Sequence, residues 1–298
     1  MKEYTLFSGC MTSSRFPQFE SSTIKVLKRL DIMLRPLRNW TCCPEPVSMQ
    51  MLNPKAWYAI AARNICLAEK EGVDMVTLCS GCNATLFRAN KGLKADHELR
   101  AEVNGYLEAV GKKFEGKTAV KSILRILYQD VGPEEIKKHV KTPLHSIKVA
   151  VHYGCHIFDE LKEYDDVKKP KSLKDLVKAL GAKVVDYPSE TLCCAGYARS
   201  ISEEVSLRIA EEKLNDLINA DADCLILICP YCFLQFDLGQ ISIARKFKRS
   251  LQIPVLYYPQ LLGLTMGFGA QDMGLQFHRI KTDGLIEKLG GVPIAVSS

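Results

Sequence analysis

Four short apolar runs along the chain each stop at a cysteine: YTLFSGCM (4–11), DMVTLCSGC (74–82), VAVHYGCH (149–156) and CLILICPYC (224–232). Runs of this kind, rich in Val, Ile and Leu, predict strands buried on both faces of a parallel sheet. Between them the apolar positions fall at helical spacing. NPKAWYAIAARNICLAEKEG (53–72) predicts a helix with Asn53 as N-cap, Pro54 in the first turn and Gly72 as stop. SEEVSLRIAEEKLNDLINA (202–220) fills the corresponding place in the second half, capped by Ser202. Further helices are expected over 96–114, 117–130 and 233–248, with a strand and short helices in 254–269 and 282–290. Strands alternating with helices give an α/β fold of two pseudo-symmetric domains, each a small, mostly parallel sheet flanked by helices. The polar stretch KHVKTPLHS (138–146), interrupted by Pro143, marks the boundary and predicts domains 1–144 and 145–298.

The cysteines repeat along with the strands. Cys10, 31 residues, Cys42-Cys43, 35 residues and Cys79-x-x-Cys82 are followed by Cys155, 37 residues, Cys193-Cys194, 34 residues and Cys229-x-x-Cys232. In parallel sheets, ligands collect at the carboxyl ends of strands, where helix N-termini also stabilise thiolates. Cys10, Cys79, Cys155 and Cys229 all follow predicted strands, so one five-cysteine site is expected in each domain. Cys-x-x-Cys lets two sulfurs turn toward one centre. The adjacent pairs, in TCCPEP (41–46) and TLCCAGY (191–197), can present both sulfurs to neighbouring metal atoms if they lie in loops. A structural zinc site or a cubane iron–sulfur cluster takes four ligands, so a fifth cysteine is either a spectator or part of a multi-iron cluster of another shape. Its presence in both halves favours the second account. Disulfides call for a secreted context, and a thioredoxin-like site would leave the adjacent pairs unexplained.

Composition changes this picture little. At 298 residues the chain can bury two cores, and 47% hydrophobic with 25% charged residues is ordinary for a globular protein. A net charge of +6 favours small anionic substrates or an acidic partner surface. The basic residues are scattered, with no aromatic-plus-basic motif, which argues against nucleic acid. No run approaches the length of a membrane span, and MKEYTLFSGC, with Glu3, does not read as a secretory signal. The expected compartment is the cytoplasm, where clustered cysteines read as metal or redox ligands.

With these spacings the chain resembles the duplicated cysteine-rich CCG domain family, and within it the B-subunit group of heterodisulfide reductases from methanogenic archaea. The resemblance spans essentially the whole chain and is carried locally by FSGCM, TCCPEP and LCSGCNATL. Pro44 and Ala195 stand where the family motif has glycine after the paired cysteines. Relatives in glycolate and lactate oxidation complexes usually carry fused ferredoxin modules, and no ferredoxin-type cysteine run occurs here. The resemblance implies two non-cubane [4Fe-4S] clusters. Cys10, Cys42, Cys43, Cys79 and Cys82 would hold one, and Cys155, Cys193, Cys194, Cys229 and Cys232 the other. It implies the mixed disulfide of coenzyme M and coenzyme B as substrate, reduced to two thiols in methanogenesis. Electrons would arrive through a ferredoxin-like subunit of the same complex, which receives them from a flavin-containing subunit. The alternatives are a related complex that oxidises a 2-hydroxy acid or acts on another thiol or disulfide, and, in a different class, a non-catalytic zinc-binding module.

Residues outside the two sets are weighed against blander roles. Cys66 and Cys224 read as packed thiols. His152 and His156 flank Cys155, and His156 is the candidate proton donor. A histidine so placed can equally serve as a hydrogen-bonding group beside a cluster. Nearness to the cysteines makes Arg15, Arg88, Lys91 and Arg199 candidate clamps for an anionic substrate, with solvated surface charge as the other reading. RKFKR (245–249) reads as a solvated helix face, and the glycines of GFGAQDMG do not form a dinucleotide fingerprint.

Overall fold

The structure is a computed structural model that describes residues 1–290; the end of the expected second domain, 291–298, lies outside the described residues. The apolar runs form strands, and the strands form two four-stranded sheets, parallel throughout. In the first, β1 (Lys2–Phe7), β2 (Ile32–Pro36), β3 (Met75–Thr77) and β4 (Val120–Ser122) lie in the order β2-β1-β3-β4. In the second, β5 (Lys148–His152), β6 (Lys183–Val184), β7 (Cys224–Leu227) and β8 (Val255–Tyr257) repeat that order as β6-β5-β7-β8. In each sheet the order reverses between the two central strands. That reversal opens a crevice at their carboxyl ends, where open α/β sheets bind ligands.

The expected caps are present. Asn53 accepts a hydrogen bond from the Ala56 N–H at 3.0 Å and starts Pro54–Glu71, which ends on Gly72 in the left-handed region at φ 71°. Ser202 likewise caps Glu203–Asn219 by accepting from Val205 N–H at 3.3 Å.

One predicted helix is corrected. The sequence pattern predicts a helix over 117–130, but Val120–Ser122 is the edge strand β4, registered Met75↔Val120 and Thr77↔Ser122, and only the residues from Ile123 onward are helical. The free edge of β3 offers backbone partners to this short segment, and that pairing overrides its local helical pattern. The helix expected over 233–248 is also two, Pro230–Phe236 and Leu238–Phe247, parted at Asp237, whose carboxylate accepts from the Arg279 and Ile280 N–H groups.

The two halves share a core. Phe19, on Pro17–Arg29, stacks on Tyr257 of β8 at 4.6 Å and meets the edge of Phe233 at 4.7 Å, and all three are fully buried. The Tyr257 hydroxyl donates to the Leu78 carbonyl at 2.6 Å, and the buried Glu160 carboxylate accepts from the Ser122 N–H at the end of β4. These contacts cross from one sheet to the other and fix the crevices against each other.

Candidate metal centre

Each central strand delivers a cysteine to its crevice. β1 and β5 run into Gly9-Cys10 and Gly154-Cys155, where both glycines are left-handed, at φ 76° ψ 156° and φ 76° ψ 151°. β3 and β7 run into Cys79 and Cys229, the N-cap residues of Ser80–Ala95 and Pro230–Phe236. The adjacent pairs come in on the loops after β2 and β6.

Side-chain contacts then join ten sulfurs into one line. It runs Cys10–Cys42–Cys43–Cys82–Cys79 in the first half and Cys229–Cys232–Cys194–Cys193–Cys155 in the second. The halves meet where Cys79 Sγ and Cys229 Sγ lie 3.9 Å apart. The order is the same read from either end, as a pseudo-twofold axis through that junction requires. Within the second set, Cys155 and Cys193 are 3.6 Å apart and Cys232 and Cys194 are 3.5 Å apart, and all twelve cysteines of the chain are free. The middle of the line is buried, while Cys10, Cys42 and Cys193 are exposed near its ends.

So many thiols in contact cannot all ionise without a cation. Cys193 is drawn down to about 2 by S–H donation from Cys155 and Cys194, with help from the Ala195 N–H. Cys43 and Cys229 are lowered for the same reason, each by donation from two flanking cysteines. Their neighbours are pushed up in turn, Cys194 to about 12, because losing a second proton would place two anions side by side. A metal group removes the conflict by taking the place of the protons. Beside the line, buried polar atoms of Thr12, Ser80, Asn83 and His152 find no partner among the described residues. The donor set therefore fits an iron–sulfur group.

The other expected residues separate into two groups. Cys66 and Cys224 stand apart in the core, and burial raises both thiols, Cys66 to about 12. His152 is buried, and one of its ring nitrogens lies within 4.8 Å of the Cys194 and Cys232 sulfurs. His156 packs edge-on against Tyr197 at 5.4 Å. Three of the four candidate clamps are already engaged. Arg88 pairs with Asp159, Lys91 with Glu163 at 2.9 Å and Arg199 with Glu203 at 2.7 Å, while Arg15 is exposed at the end of Cys10–Arg15.

Two residues not singled out from sequence border the junction. Tyr197 stacks on Tyr231 at 4.7 Å, and its hydroxyl would lie 3.2 Å from a Cβ on Gly81, beside Cys79 Sγ. The one sequence signal was position, since both follow ligand-type cysteines within three residues.

Comparison with known proteins agrees with this geometry. The model of the CCG cysteine-rich domain matches residues 4–87 and 149–237, the two stretches that carry the sulfurs. The B subunit of a ferredoxin:CoB-CoM heterodisulfide reductase from Methanosarcina mazei is 38% identical, with 100% of each chain covered. The chain belongs to this family. The B subunit of a ferredoxin/F420H2-dependent CoB-CoM heterodisulfide reductase from Methanosarcina acetivorans is 39% identical over 97% of both chains. The membrane anchor subunit of an 8-methylmenaquinol:fumarate reductase from Wolinella succinogenes is 33% identical, covering 94% of this chain and 97% of its own. The crystal structure of a hypothetical protein from Helicobacter pylori shares the fold with a TM-score of 0.79 at 17% identity, covering 94% of this chain and 52% of that one. As a homologue of heterodisulfide reductase B subunits with two CCG domains, the chain is an iron–sulfur redox subunit with an oxidoreductase role. No described helix is long and apolar enough to cross a membrane.

Proposed function

We propose that this chain is the catalytic, disulfide-reducing subunit of a cytoplasmic complex, and that its substrate is the mixed disulfide of coenzyme M and coenzyme B. Cys10, Cys42, Cys43, Cys79 and Cys82 hold one non-cubane [4Fe-4S] cluster, and Cys155, Cys193, Cys194, Cys229 and Cys232 hold the other. The observation that carries this reading is the junction of the two sulfur sets, with Cys79 and Cys229 at 3.9 Å. A disulfide bond is about 2 Å long, so two sites meeting this closely can each attend to one sulfur of a single substrate. When bound, the clusters supply one electron each and Lewis-acidic iron for the departing sulfurs.

The chain's own residues do the rest. The left-handed Gly9 and Gly154 turn Cys10 and Cys155 into the crevices. The Ala195 and Gly196 N–H groups donate to Cys193 and Cys194 Sγ, at 3.3 and 3.4 Å, and hold the second pair in place. Burial of the central sulfurs keeps water from the junction. His156, held against Tyr197, is the candidate proton donor to a leaving thiolate. Electrons enter from a ferredoxin-like subunit, which is supplied in turn by a flavin-containing subunit. A second reading, an electron-carrying subunit of another oxidoreductase, is favoured by the Wolinella succinogenes relative at 33% identity.

The test is metal and sulfide analysis of anaerobically prepared protein, followed by heterodisulfide reduction with a reduced viologen. About eight irons with comparable sulfide, and turnover that collapses when Cys79 or Cys229 is replaced by alanine, are expected. Full iron without turnover leaves the second reading. Zinc without sulfide sinks both.

A further inference from the structure

The internal repeat breaks down at two positions beside the sulfurs. Asn64 and Lys213 are equivalent, each eleven residues beyond the cap of its helix, and both are buried beneath an adjacent cysteine pair. Asn64 Nδ2 donates to the Thr41 and Cys42 carbonyls at 3.3 and 3.1 Å, and its Oδ1 accepts from the Thr41 N–H at 2.9 Å. Lys213 Nζ donates instead to the carbonyls of Ser189, Glu190 and Leu192, the last two at 3.3 and 3.0 Å. Three carbonyl acceptors call for three N–H donors, which the ammonium has and the neutral amine lacks. A neutral amide therefore supports the first pair, and a buried cation supports the second. The Glu190 carboxylate acts on Lys213 and is shared with Lys174 at 2.9 Å.

The strand ends differ in the same sense. Phe7 and His152 each stand three residues before the first cysteine of their set. A Cβ on Gly9 would meet Phe7 Cε1 at 3.8 Å, whereas one on Gly154 would meet His152 Nε2 at 3.9 Å and Cys232 Sγ at 3.4 Å. His152 Nδ1 lies 3.4 Å from Lys213 Nζ. The second site thus has a polar ring beside its buried cation where the first has the apolar ring of Phe7. Among the described residues His152 Nε2 has no partner, and it shares its small space with the Cys232 sulfur.

The geometry points to Lys213 and His152 as a pair that gives the second sulfur site a higher reduction potential than the first, so that the first electron delivered to the chain settles there. Reduction adds negative charge. A buried cation and a polar imidazole beside the sulfurs both stabilise that charge in a site of low dielectric, and the equivalent positions of the first site hold the neutral Asn64 and the apolar Phe7. The inference rests on the reading that both sites hold clusters.

The experiment is a potentiometric titration of the anaerobic full chain with dithionite, the one-electron reductant, followed by electron paramagnetic resonance after iron and sulfide have been counted. The wild-type protein should show two separated midpoints. In Lys213→Gln the upper one should fall toward the lower while the lower stays in place, and Lys213→Arg should keep most of the separation. His152→Phe, which copies the first half, should shift the same midpoint in the same direction with full iron, and this variant carries the test if Lys213→Gln does not fold. A single midpoint in the wild type, or an unchanged separation in both variants with full iron, overturns the inference. So does loss of iron in His152→Phe, which would make that histidine a ligand. A wild-type protein without iron and sulfide fails earlier, and rejects the cluster reading itself.

Discussion

Replacing Gly9 and Gly154 by alanine, one at a time, separates two ways in which the crevices depend on glycine. Both residues have φ 76° with ψ above 150°, a region that is nearly closed to side chains. Each substitution should therefore cost about 1–3 kcal/mol from backbone strain alone. The sulfurs make the two variants unequal. A Cβ at position 9 would lie 2.8 Å from the buried Cys82 Sγ, whereas at position 154 the nearest sulfur, Cys232 Sγ, is 3.4 Å away. At the first site the sulfur must retreat by more than about half an ångström, or the turn must open, adding about 1–3 kcal/mol of overpacking. At the second, the contact is already close to ordinary. Urea unfolding under argon reads the stability, and iron and sulfide per chain read the ligand geometry. Gly9→Ala should lose roughly 2 kcal/mol more than Gly154→Ala and, with Cys82 a ligand as proposed, bind less iron. Equal losses with full iron in both variants would falsify the sulfur-crowding argument. Losses below about 0.5 kcal/mol in both would refute the backbone argument as well.

Three further outcomes follow from the same geometry. Ala195 occupies the left-handed region at φ 58°, so Ala195→Gly should raise the urea midpoint by the equivalent of about 1 kcal/mol, and a fall would show that the strain is absent. Tyr257→Phe leaves the Leu78 carbonyl without its donor and should destabilise the chain by about 1–3 kcal/mol in the same assay; no change would mean that water replaces the hydroxyl. Burial raises the Glu160 carboxyl from 4.5 to about 7, so the folded chain holds that proton more tightly than the unfolded chain. Its stabilising effect is therefore complete at low pH and is lost as pH rises from 4.5 through about 7. Wild type should accordingly lose about 1 kcal/mol more than Glu160→Gln between about pH 6 and pH 8, and parallel pH profiles would refute this.

What could be read from sequence was local or repeated. The caps Asn53 and Ser202 and the strand-to-cysteine steps depend on a few neighbouring residues, and the structure keeps them. The nearly matching spacing of the two sets pointed to convergence of the sulfurs in each. The spacing could not show that the sets join, because the Cys79–Cys229 contact spans 150 residues and depends on how two crevices face each other. Strand β4 was hidden because three residues have no periodicity of their own, and their conformation is imposed by the edge of β3. The departure of Ala195 from the family's glycine was visible, but its positive φ was not. The first pair needs no such turn, since its loop is held instead by Thr85 Oγ1 donating to the Pro44 carbonyl at 2.8 Å.

The junction spacing is set by the protein, and the route can be traced. Leu78 immediately precedes Cys79, and its carbonyl accepts from Tyr257, which ends β8. β8 pairs with β7 through Leu227↔Tyr257, and β7 leads two residues later to Cys229. A single hydrogen bond thus ties the backbone beside one junction sulfur to the strand ladder beside the other. The Tyr257 ring lies under Phe19 from the opposite half, which prevents it from swinging away. Sliding one half past the other by a fraction of an ångström would disturb this bond, the stacked rings and the sulfur contact together. Under the proposed function the two sites act on one substrate bond and need such a fixed separation, because a displacement of about 1 Å at a reacting centre can reduce rate by as much as 100-fold. The duplicated fold supplies the two sites, and the non-duplicated contacts of Tyr257 and Phe19 hold them at one distance.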